Sequence, residues 1–339
     1  MAERPITNTP AGVHAPEYRT PVAETGSREV QVGAARNDAG PEHRQEALGH
    51  PASVTAKVGG MVYCGVSLAA DTLAQHPKPN SEKDHSMSSS AHMALAYHKY
   101  SVWQFQRGMS LFAFAAPASN EHVLDVGCGT GALTYQFARA VLPHGRVTAI
   151  DPDTARLQIA MDHVPHDVPH ITWLAVPAEA LSAIATVEVN SFHVIYANYV
   201  LHRVQDPRVV LHTVYQYLRP GGRFVMQTMC DLPPLVRELT LLTGDHGAKF
   251  IQSFSYMSPT QWQQLFREVG LHIETIEDVE DDHFANLDEF LQWWEATNRG
   301  VFAADRIAPE QLAPYRTRLA SGFSLHGKET LLLLAYKPG

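Results

Sequence analysis

The residues best suited to chemistry in this chain lie together, in the run from 123 to 132. The run reads Val-Leu-Asp-Val-Gly-Cys-Gly-Thr-Gly-Ala, so an acid, Asp125, is followed by three alternate glycines. The apolar residues predict a short buried strand, and the glycines predict a turn whose backbone a ligand can approach closely. Helical spacing begins again at Ala132. A strand that ends in a glycine turn and opens a helix is typical of a nucleotide-binding corner.

Two classes of nucleotide cofactor fit this corner. Gly127, Gly129 and Ala132 satisfy a loose dinucleotide fingerprint, and Asp151 lies near the distance expected for an acid that binds a ribose. A nicotinamide-dependent oxidoreductase is therefore one interpretation. Asp125 favours the other, because a carboxylate beside the turn suits a cationic cofactor and does not suit a pyrophosphate.

The elements around the corner alternate between strands and helices, which indicates how the corner is held. Strands are predicted at 146–151, 170–176, 191–197 and 223–229, with helices at 153–161, 178–184 and 207–218 between them. Asp153 is the expected N-cap of the first of these helices. An aromatic helix from Tyr97 to Met109 precedes the corner. A capped helix follows from Ser258 to Gly270, and late strands are expected at 271–279 and 330–336, with a helix at 287–297 between them. The predicted fold is α/β: a doubly wound, mostly parallel seven-stranded sheet with an antiparallel last strand and a helical cap over 285–320.

The order of the motifs resembles the class I S-adenosylmethionine-dependent methyltransferases over about 240 residues. Residues 123–131 match the first motif of that family, and Val-Thr-Ala-Ile-Asp-Pro at 147–152 looks like its second strand. Ala-Glu-Ala-Leu at 178–181, the segment from Ser191 to His202 and Leu-Arg-Pro-Gly-Gly at 218–222 follow in the family's order. The resemblance implies a Rossmann-like fold and S-adenosylmethionine as the cofactor.

The resemblance also implies which residues bind the cofactor. They are Asp125 near the methionyl end, Gly127, Cys128 and Gly129 in the turn, Asp151 and Pro152 at the ribose, Ala178 and Glu179 at the adenine, and Asn198. The carboxylate of Asp151 can accept from both ribose hydroxyls. Pro177 stands where many relatives carry an acid, so the adenine amino contact is expected from Glu179 or from a backbone carbonyl.

The acceptor of the methyl group is less clearly marked. An acceptor carboxylate is already ionised at neutral pH, whereas a hydroxyl needs a base, for which His202 is the first candidate. Tyr199 is the other residue expected to be catalytic. The segment from Phe290 to Thr297 is loosely similar to trans-aconitate methyltransferases, which methylate carboxylates of small molecules. That similarity implies an acceptor site formed by Tyr97, Arg107, Tyr199, Trp293 and Arg299. Hydroxyl or amine acceptors, and a catalytically silent relative, remain the alternatives.

Composition limits the other possibilities. The net charge is −9, and the basic residues form no cluster, so we expect no nucleic-acid partner. The three cysteines form no metal-binding or disulfide pattern, and no apolar run is long enough for a membrane span. We therefore expect a cytoplasmic protein without a metal site and leave its oligomeric state open. Residues 1–90 are predicted to be a largely disordered tail with a short amphipathic helix between Ala52 and Leu73, and residues 91–339 to be the methyltransferase domain.

Overall fold

The computed structural model describes residues 53–58, 61–66, 89–168, 171–183, 187–278, 282–298, 302–325 and 330–339. The chain divides into two units, residues 1–69 and 70–339. In the first unit, strand β1 (Ser53–Val58) pairs antiparallel with β2 (Met61–Val66). The helix predicted in this segment is therefore wrong. Valine-rich runs on either side of a Gly-Gly pair are a hairpin signal, and this signal outweighs the helical spacing. The rest of the predicted tail before Ser89 lies outside the described residues.

The described residues of the second unit form nine further strands. In chain order they are β3 (His122–Val126), β4 (Arg146–Ile150), β5 (Ile171–Leu174), β6 (Phe192–Asn198), β7 (Leu218–Met229), β8 (His272–Asp278), β9 (Asp282–Phe284), β10 (Phe323–Leu325) and β11 (Thr330–Tyr336). Seven of them form one sheet in the order β5-β4-β3-β6-β7-β11-β8, and β11 is antiparallel to both of its neighbours. The strands from β5 to β7 are parallel. The predicted fold class is confirmed.

The helices cover both faces of the sheet and form a cap. They are α1 (Ser89–Tyr100), α2 (Val102–Ala115), α3 (Ala132–Ala140), α4 (Thr154–Asp162), α5 (Pro207–Tyr217), α6 (Pro234–Leu241), α7 (Asp245–Gln252), α8 (Pro259–Val269), α9 (Leu287–Thr297) and α10 (Pro309–Arg318). The single aromatic helix predicted before the corner is two helices, because the backbone leaves helical geometry at Ser101. The segment Ala178–Ala183 is a 3₁₀ helix, where an α-helix was predicted.

Local capping signals behave as the sequence predicts. Ser258 and Gln261 form a capping box at the start of α8, and Gly270 ends that helix in the left-handed conformation. The side chain of Asp153 caps α4 by accepting from the backbone of Ala155 and Arg156. Each cap satisfies backbone donors that the first helical turn leaves unpaired. The helices that flank the site are therefore fixed locally at their ends.

Three apolar clusters hold these layers together. One cluster packs α5 and α8 on one face of the sheet, and a second packs α2 and α3 on the other. A third, rich in aromatic rings, joins α6, α7, α9 and α10 into the cap. The connection changes direction between β3 and β6, and open α/β sheets bind ligands at the carboxyl ends of the strands beside such a switch point. Within the described part of the chain, the helices lack the length and apolarity that a membrane crossing requires.

Candidate active site

A cavity of about 470 Å³ opens where β3, β4 and β6 end, within the usual size range of small-molecule sites. Twelve of the predicted site residues line it: Tyr97, Arg107, Gly127, Gly129, Asp151, Pro152, Ala178, Glu179, Asn198, Tyr199, His202 and Trp293. Asp125 and Cys128 lie in the same turn without lining the cavity, and Arg299 lies outside the described residues. The structure thus brings together residues that are up to about 200 positions apart.

The glycine turn approaches the cavity in a conformation that side chains rarely adopt. Gly127 and Gly129 have φ angles of +78° and +56°. A Cβ atom on Gly127 would lie 2.3 Å from Cγ2 of Val200, which is closer than any real contact. The backbone N–H groups of Gly127 and Cys128 donate to the Ile150 carbonyl, which ties the turn to the end of β4. Glycine is therefore required at 127 by backbone conformation and by space together.

Asp151 lies at the end of β4 and faces the same cavity. It is 5% exposed, and its two carboxylate oxygens accept from the backbone N–H of Gly129 at 3.0 Å and of Asp153 at 2.8 Å. A carboxylate has about four acceptor positions, so these two bonds are compatible with further donors from a ligand. The backbone bonds hold the carboxylate in place before any ligand arrives.

Asp125 lies behind the turn and not on the cavity wall. Its Oδ2 accepts from the hydroxyls of Thr134 at 2.6 Å and Tyr196 at 2.5 Å, and the residue is 2% exposed. Burial raises its pKa to about 7, although both hydrogen bonds oppose the rise. We expected Asp125 near the methionyl end of the cofactor; its position limits it to acting through the turn and through its charge.

Cys128 has a thiol that stays protonated. Its Sγ lies 3.9 Å from the Gly129 carbonyl, and burial raises the pKa of the thiol well above its ordinary value. A thiol of this kind is a packing group and not a nucleophile.

The far side of the cavity is apolar and aromatic. It is formed by Trp293 and Trp294 of α9, Val236 of α6, Phe250 of α7 and the nearby Phe254. Sequence reasoning found Trp293 but missed the others, because residues 230–257 show no motif and α6 and α7 were not predicted. Their signal was the helical spacing of apolar residues alone.

His202 is buried between the aromatic wall and β7. Its ring stacks on Phe254 at 5.8 Å, and its Nδ1 lies 3.5 Å from the N–H of Met229 and 3.3 Å from the Thr228 hydroxyl. A backbone N–H can only donate, so Nδ1 accepts and the proton of the neutral ring is on Nε2. Burial, with the charge of Arg203, lowers the pKa of His202 well below its ordinary value. The imidazole is therefore neutral at physiological pH.

Asn198 and Tyr199 stand where β6 ends at the cavity. Tyr199 has a φ of +58°, an uncommon conformation for a bulky residue, and its hydroxyl accepts from Nε2 of Gln227 at 3.0 Å. Asn198 donates to the Gln104 carbonyl, whereas its own buried Oδ1 has no hydrogen-bond partner. An orphaned acceptor and a strained residue at one strand end mark a place where a ligand is expected.

Charged groups of both signs line the cavity. Asp151 accepts from Gly129 of the glycine turn, and Glu179 accepts from the backbone of Gln205 at 3.0 Å. Arg156 stacks on the Tyr97 ring at 3.7 Å, and Arg203 donates to Asn298 at 2.9 Å. In the described part of the chain, His, Cys, Asp and Glu side chains form no group of three or more that could hold a metal ion.

These residues fit S-adenosylmethionine. Gly127 and Gly129 line the cavity without side chains, so a ligand can approach their backbone. Asp151 offers a fixed acceptor for a ribose diol, and the unpaired Asn198 oxygen offers another for a donor. Glu179 and Ala178 lie on the cavity wall at the segment where the adenine is expected. The sheet, the switch point and this wall together define a nucleotide-cofactor site of the Rossmann-like class.

Comparison with known proteins agrees with this class. The family model described as a methyltransferase domain matches residues 100–276, just over half of the chain. The chain therefore belongs to the methyltransferase-domain family, and the predicted resemblance to class I S-adenosylmethionine-dependent methyltransferases is confirmed.

Individual relatives are distant. A malonyl-[acyl-carrier protein] O-methyltransferase from Hahella chejuensis is 29% identical over 136 residues, 40% of this chain and 46% of the relative. A mitochondrial ubiquinone biosynthesis O-methyltransferase from Rattus norvegicus is 25% identical over 205 residues, 58% of this chain and 57% of the relative. The chain thus spans about half the length of these curated relatives.

Among solved structures, one is a complex of the Haloferax volcanii Trm112 methyltransferase activator with a candidate methyltransferase. The chain matches it with a TM-score of 0.50 and 16% identity over 74% of this chain and 98% of that one. At this identity the likeness shows the fold alone.

Proposed function

We propose that this protein transfers the methyl group of S-adenosylmethionine to a small molecule that binds on the apolar side of the cavity. The observation that carries the proposal is the division of one cavity into two walls. The glycine turn, Asp151 and Glu179 form one wall, and the aromatic residues of α7 and α9 form the other. A cavity of this size with aromatic rings on its second wall suits a small, partly apolar acceptor.

The cofactor would lie along the first wall. Asp151 would accept from the ribose hydroxyls, Gly127 and Gly129 would let the backbone approach, and Pro152, Ala178 and Glu179 would surround the adenine. Asn198 would complete this set with its unpaired oxygen. When bound, the cofactor supplies a methyl group on a positively charged sulfonium, whose sulfur leaves readily as a neutral thioether.

We favour a carboxylate as the acceptor, because the cavity lacks an effective base at the place where one was expected. A hydroxyl acceptor would have to give its proton to His202, yet burial disfavours the imidazolium form of that ring and Nδ1 faces a backbone donor. A carboxylate is ionised at neutral pH and needs no base. Arg107 lies on the cavity wall, as the loose similarity to trans-aconitate methyltransferases implied, and could pair with a second anionic group.

The reaction would be an in-line displacement. An acceptor oxygen lone pair forms the bond to the methyl carbon, the bond from carbon to sulfur breaks, and its electron pair stays on sulfur, which gives an ester and a neutral thioether. The protein's part is to align the acceptor and to exclude water, and orientation can contribute much of the lowering of the barrier. Trp293, Phe250 and Phe254 would exclude water, and the fixed turn would hold the cofactor's reactive end.

The test is an incubation with methyl-labelled cofactor and a panel of aliphatic and aromatic acids, phenols and amines. We expect label in a base-labile ester, released as methanol on mild alkaline treatment. Stable label in an ether or an amine would contradict the carboxylate. No product from the whole panel, together with normal binding of S-adenosylhomocysteine, would point to a silent relative, and binding of NAD instead of S-adenosylhomocysteine would point to an oxidoreductase.

His202→Gln separates the two oxygen acceptors. If the acceptor is a carboxylate, kcat should fall less than about tenfold, because the amide still offers a donor and an acceptor and only the packing of the ring is lost. A general base contributes about 10²- to 10⁴-fold, so a loss in that range would identify a hydroxyl acceptor. The measurement is the initial rate at saturating cofactor with the acceptor found in the panel.

A further inference from the structure

Gln104 of α2 joins three parts of the cavity wall through its side chain and its backbone. It is buried, with 8% exposure, and lines the cavity itself. Its Oε1 accepts from Trp293 Nε1 at 3.1 Å, and its Nε2 donates to Thr297 Oγ1 at 3.1 Å. Its backbone carbonyl accepts from Nδ2 of Asn198 at 3.0 Å. One residue thus contacts the cap helix and the end of β6.

The two side-chain bonds fix one helical turn of α9. Trp293 and Thr297 are four residues apart, so they lie on the same helix face. The torsion that turns the indole ring about its bond to Cβ has a broad energy minimum, so it fixes the ring orientation only weakly. The bond from its N–H to Gln104 selects one ring orientation on the cavity wall.

The neighbouring indole, that of Trp294, lacks such a hydrogen bond. Its ring is 1% exposed, it packs against Phe250 and Phe302, and its Nε1 has no hydrogen-bond partner. Packing alone holds that ring. Trp293 instead combines packing on Phe284 and Phe290 with a polar bond across the cavity wall.

We propose that Gln104 is a positioning residue that sets the orientation of Trp293 and thereby determines which acceptors the apolar wall admits. This inference rests on the proposed function, since it takes Trp293 as part of the acceptor wall. The side chain of Gln104 acts on Trp293 and Thr297, whereas the contact with Asn198 uses its backbone carbonyl. Side-chain substitutions at 104 should therefore change acceptor binding and leave cofactor binding nearly unchanged.

Two substitutions separate hydrogen bonding from size. Gln104→Leu removes both side-chain bonds at nearly the same volume. Gln104→Glu keeps both in either protonation state: a carboxylate accepts from the indole and from the Thr297 hydroxyl, and a carboxylic acid can donate to that hydroxyl. Gln158→Leu, at an exposed position of α4, is the matched control for a glutamine-to-leucine change.

The first measurement is the ¹⁵N–¹H spectrum of the five tryptophan indoles in protein saturated with S-adenosylhomocysteine. The Trp293 signal is assigned by its loss in Trp293→Phe. We expect Gln104→Leu to move this signal upfield, because the indole loses its acceptor, and Gln104→Glu to keep it hydrogen-bonded. An unmoved signal in Gln104→Leu would overturn the positioning role. If that variant fails to fold, Gln104→Asn, which is too short to reach both partners, gives the same test.

The second measurement is kinetic. A net hydrogen bond is worth about 0.5–1.5 kcal/mol, so Gln104→Leu should raise the acceptor KM about two- to tenfold and change relative rates across the acceptor panel. The Kd for S-adenosylhomocysteine should change less than about twofold, and Gln104→Glu should restore the acceptor KM toward the original value. A shifted indole signal with unchanged KM and unchanged relative rates would overturn the selectivity role. The indole spectrum requires no turnover, so the failure of this inference is distinguishable from a wild-type protein that methylates nothing.

Discussion

At the scale of single residues, the carboxylate of Asp151 is held in place before the cofactor binds. The backbone N–H groups of Gly129 and Asp153 fix its two oxygens. Hydrogen bonds to a charged group contribute about 1.5–3 kcal/mol each, more than bonds between neutral groups. A rigid, charged acceptor at the end of β4 is what the proposed contact with the ribose hydroxyls requires.

Asp151→Asn should weaken the binding of S-adenosylhomocysteine at least about tenfold, since the amide keeps the size but loses the charge and one acceptor oxygen. Isothermal titration measures the change. Asp153→Asn is the matched control, because asparagine also caps helices well and Asp153 caps α4 without lining the cavity. Equal losses in both variants would contradict the assignment of Asp151 to the ribose.

The buried acid Asp125 makes the stability of the folded protein depend on pH. Its pKa is raised to about 7 in the folded protein by burial, from an ordinary value of 3.8. The folded state therefore holds a proton that the unfolded state releases, and stability falls as pH rises between about 4 and 7. Burial is the cause, since it disfavours the charged carboxylate more than the hydrogen bonds from Thr134 and Tyr196 favour it.

Asp125→Asn should remove this pH dependence, because the amide does not titrate. Between pH 5 and pH 7.5 the variant should gain roughly 1–4 kcal/mol in unfolding free energy relative to the wild type, at about 1.4 kcal/mol per pKa unit. Urea unfolding at the two pH values measures the difference. A constant difference between the proteins would show that Asp125 does not titrate in this range.

At the scale of elements, the glycine turn is shaped by two constraints that can be separated. Gly127 has a φ of +78°, and its missing Cβ makes room for Val200. Gly221 has a similar φ of +74°, but a Cβ there would meet nothing within 4 Å. Comparison of the two positions therefore separates the cost of the steric collision from the cost of the backbone conformation.

Gly127→Ala should therefore destabilise the protein more than Gly221→Ala and should also weaken the binding of S-adenosylhomocysteine. Backbone strain of this kind costs about 1–3 kcal/mol, and the collision with Val200 adds to it at position 127 only. Gly127→Ala combined with Val200→Ala should recover the steric part. Thermal unfolding and titration are the measurements, and equal effects of the two single substitutions would contradict the close contact.

The elements also show what the sequence could predict. Every strand of the large sheet was expected, because short apolar runs bounded by turn residues are a local signal. The capping box at Ser258 and the cap at Asp153 were predicted for the same reason. The start of β7 was not predicted correctly: it lies at Leu218, five residues before the predicted start at Arg223. Helices α6 and α7 were not predicted, because their apolar residues are buried only by tertiary packing within the cap and no local motif marks them.

The site was predictable to the same extent. Asp151 and the glycines belong to two short motifs that follow one another in the chain, whereas Phe250, Phe254 and Gln104 reach the cavity from three separate helices or loops. Nothing local to Gln104 indicates that it will meet Trp293, which is 189 positions away. The acceptor wall is thus a product of the whole fold, and the cofactor wall is mainly a product of its first β-α unit.

At the scale of the second unit, the last turn of α9 is where the cap meets the cofactor side. Arg156 of α4 donates to the carbonyls of Ala296 and Thr297 at 3.3 and 3.4 Å and stacks on Tyr97 of α1. Gln104 and Arg203 hold Thr297 and Asn298 of the same turn. These bonds close one end of the cavity, so a ligand on the first wall should stabilise the cap as well.

We therefore expect S-adenosylhomocysteine to slow amide hydrogen exchange in both α3 and α9. A ligand at 100 times its Kd adds about 2.7 kcal/mol of stability, and the share that reaches α9 depends on the bonds of Arg156. In Arg156→Met the ligand should still protect α3 but protect α9 much less, because the buried guanidinium no longer joins α4 to the end of α9. Arg139→Met, which breaks an exposed ion pair with Asp167, is the matched control and should keep both effects. Protection confined to α3 in the wild type would contradict this coupling, and the cap would then be a separate unit that the cofactor does not order.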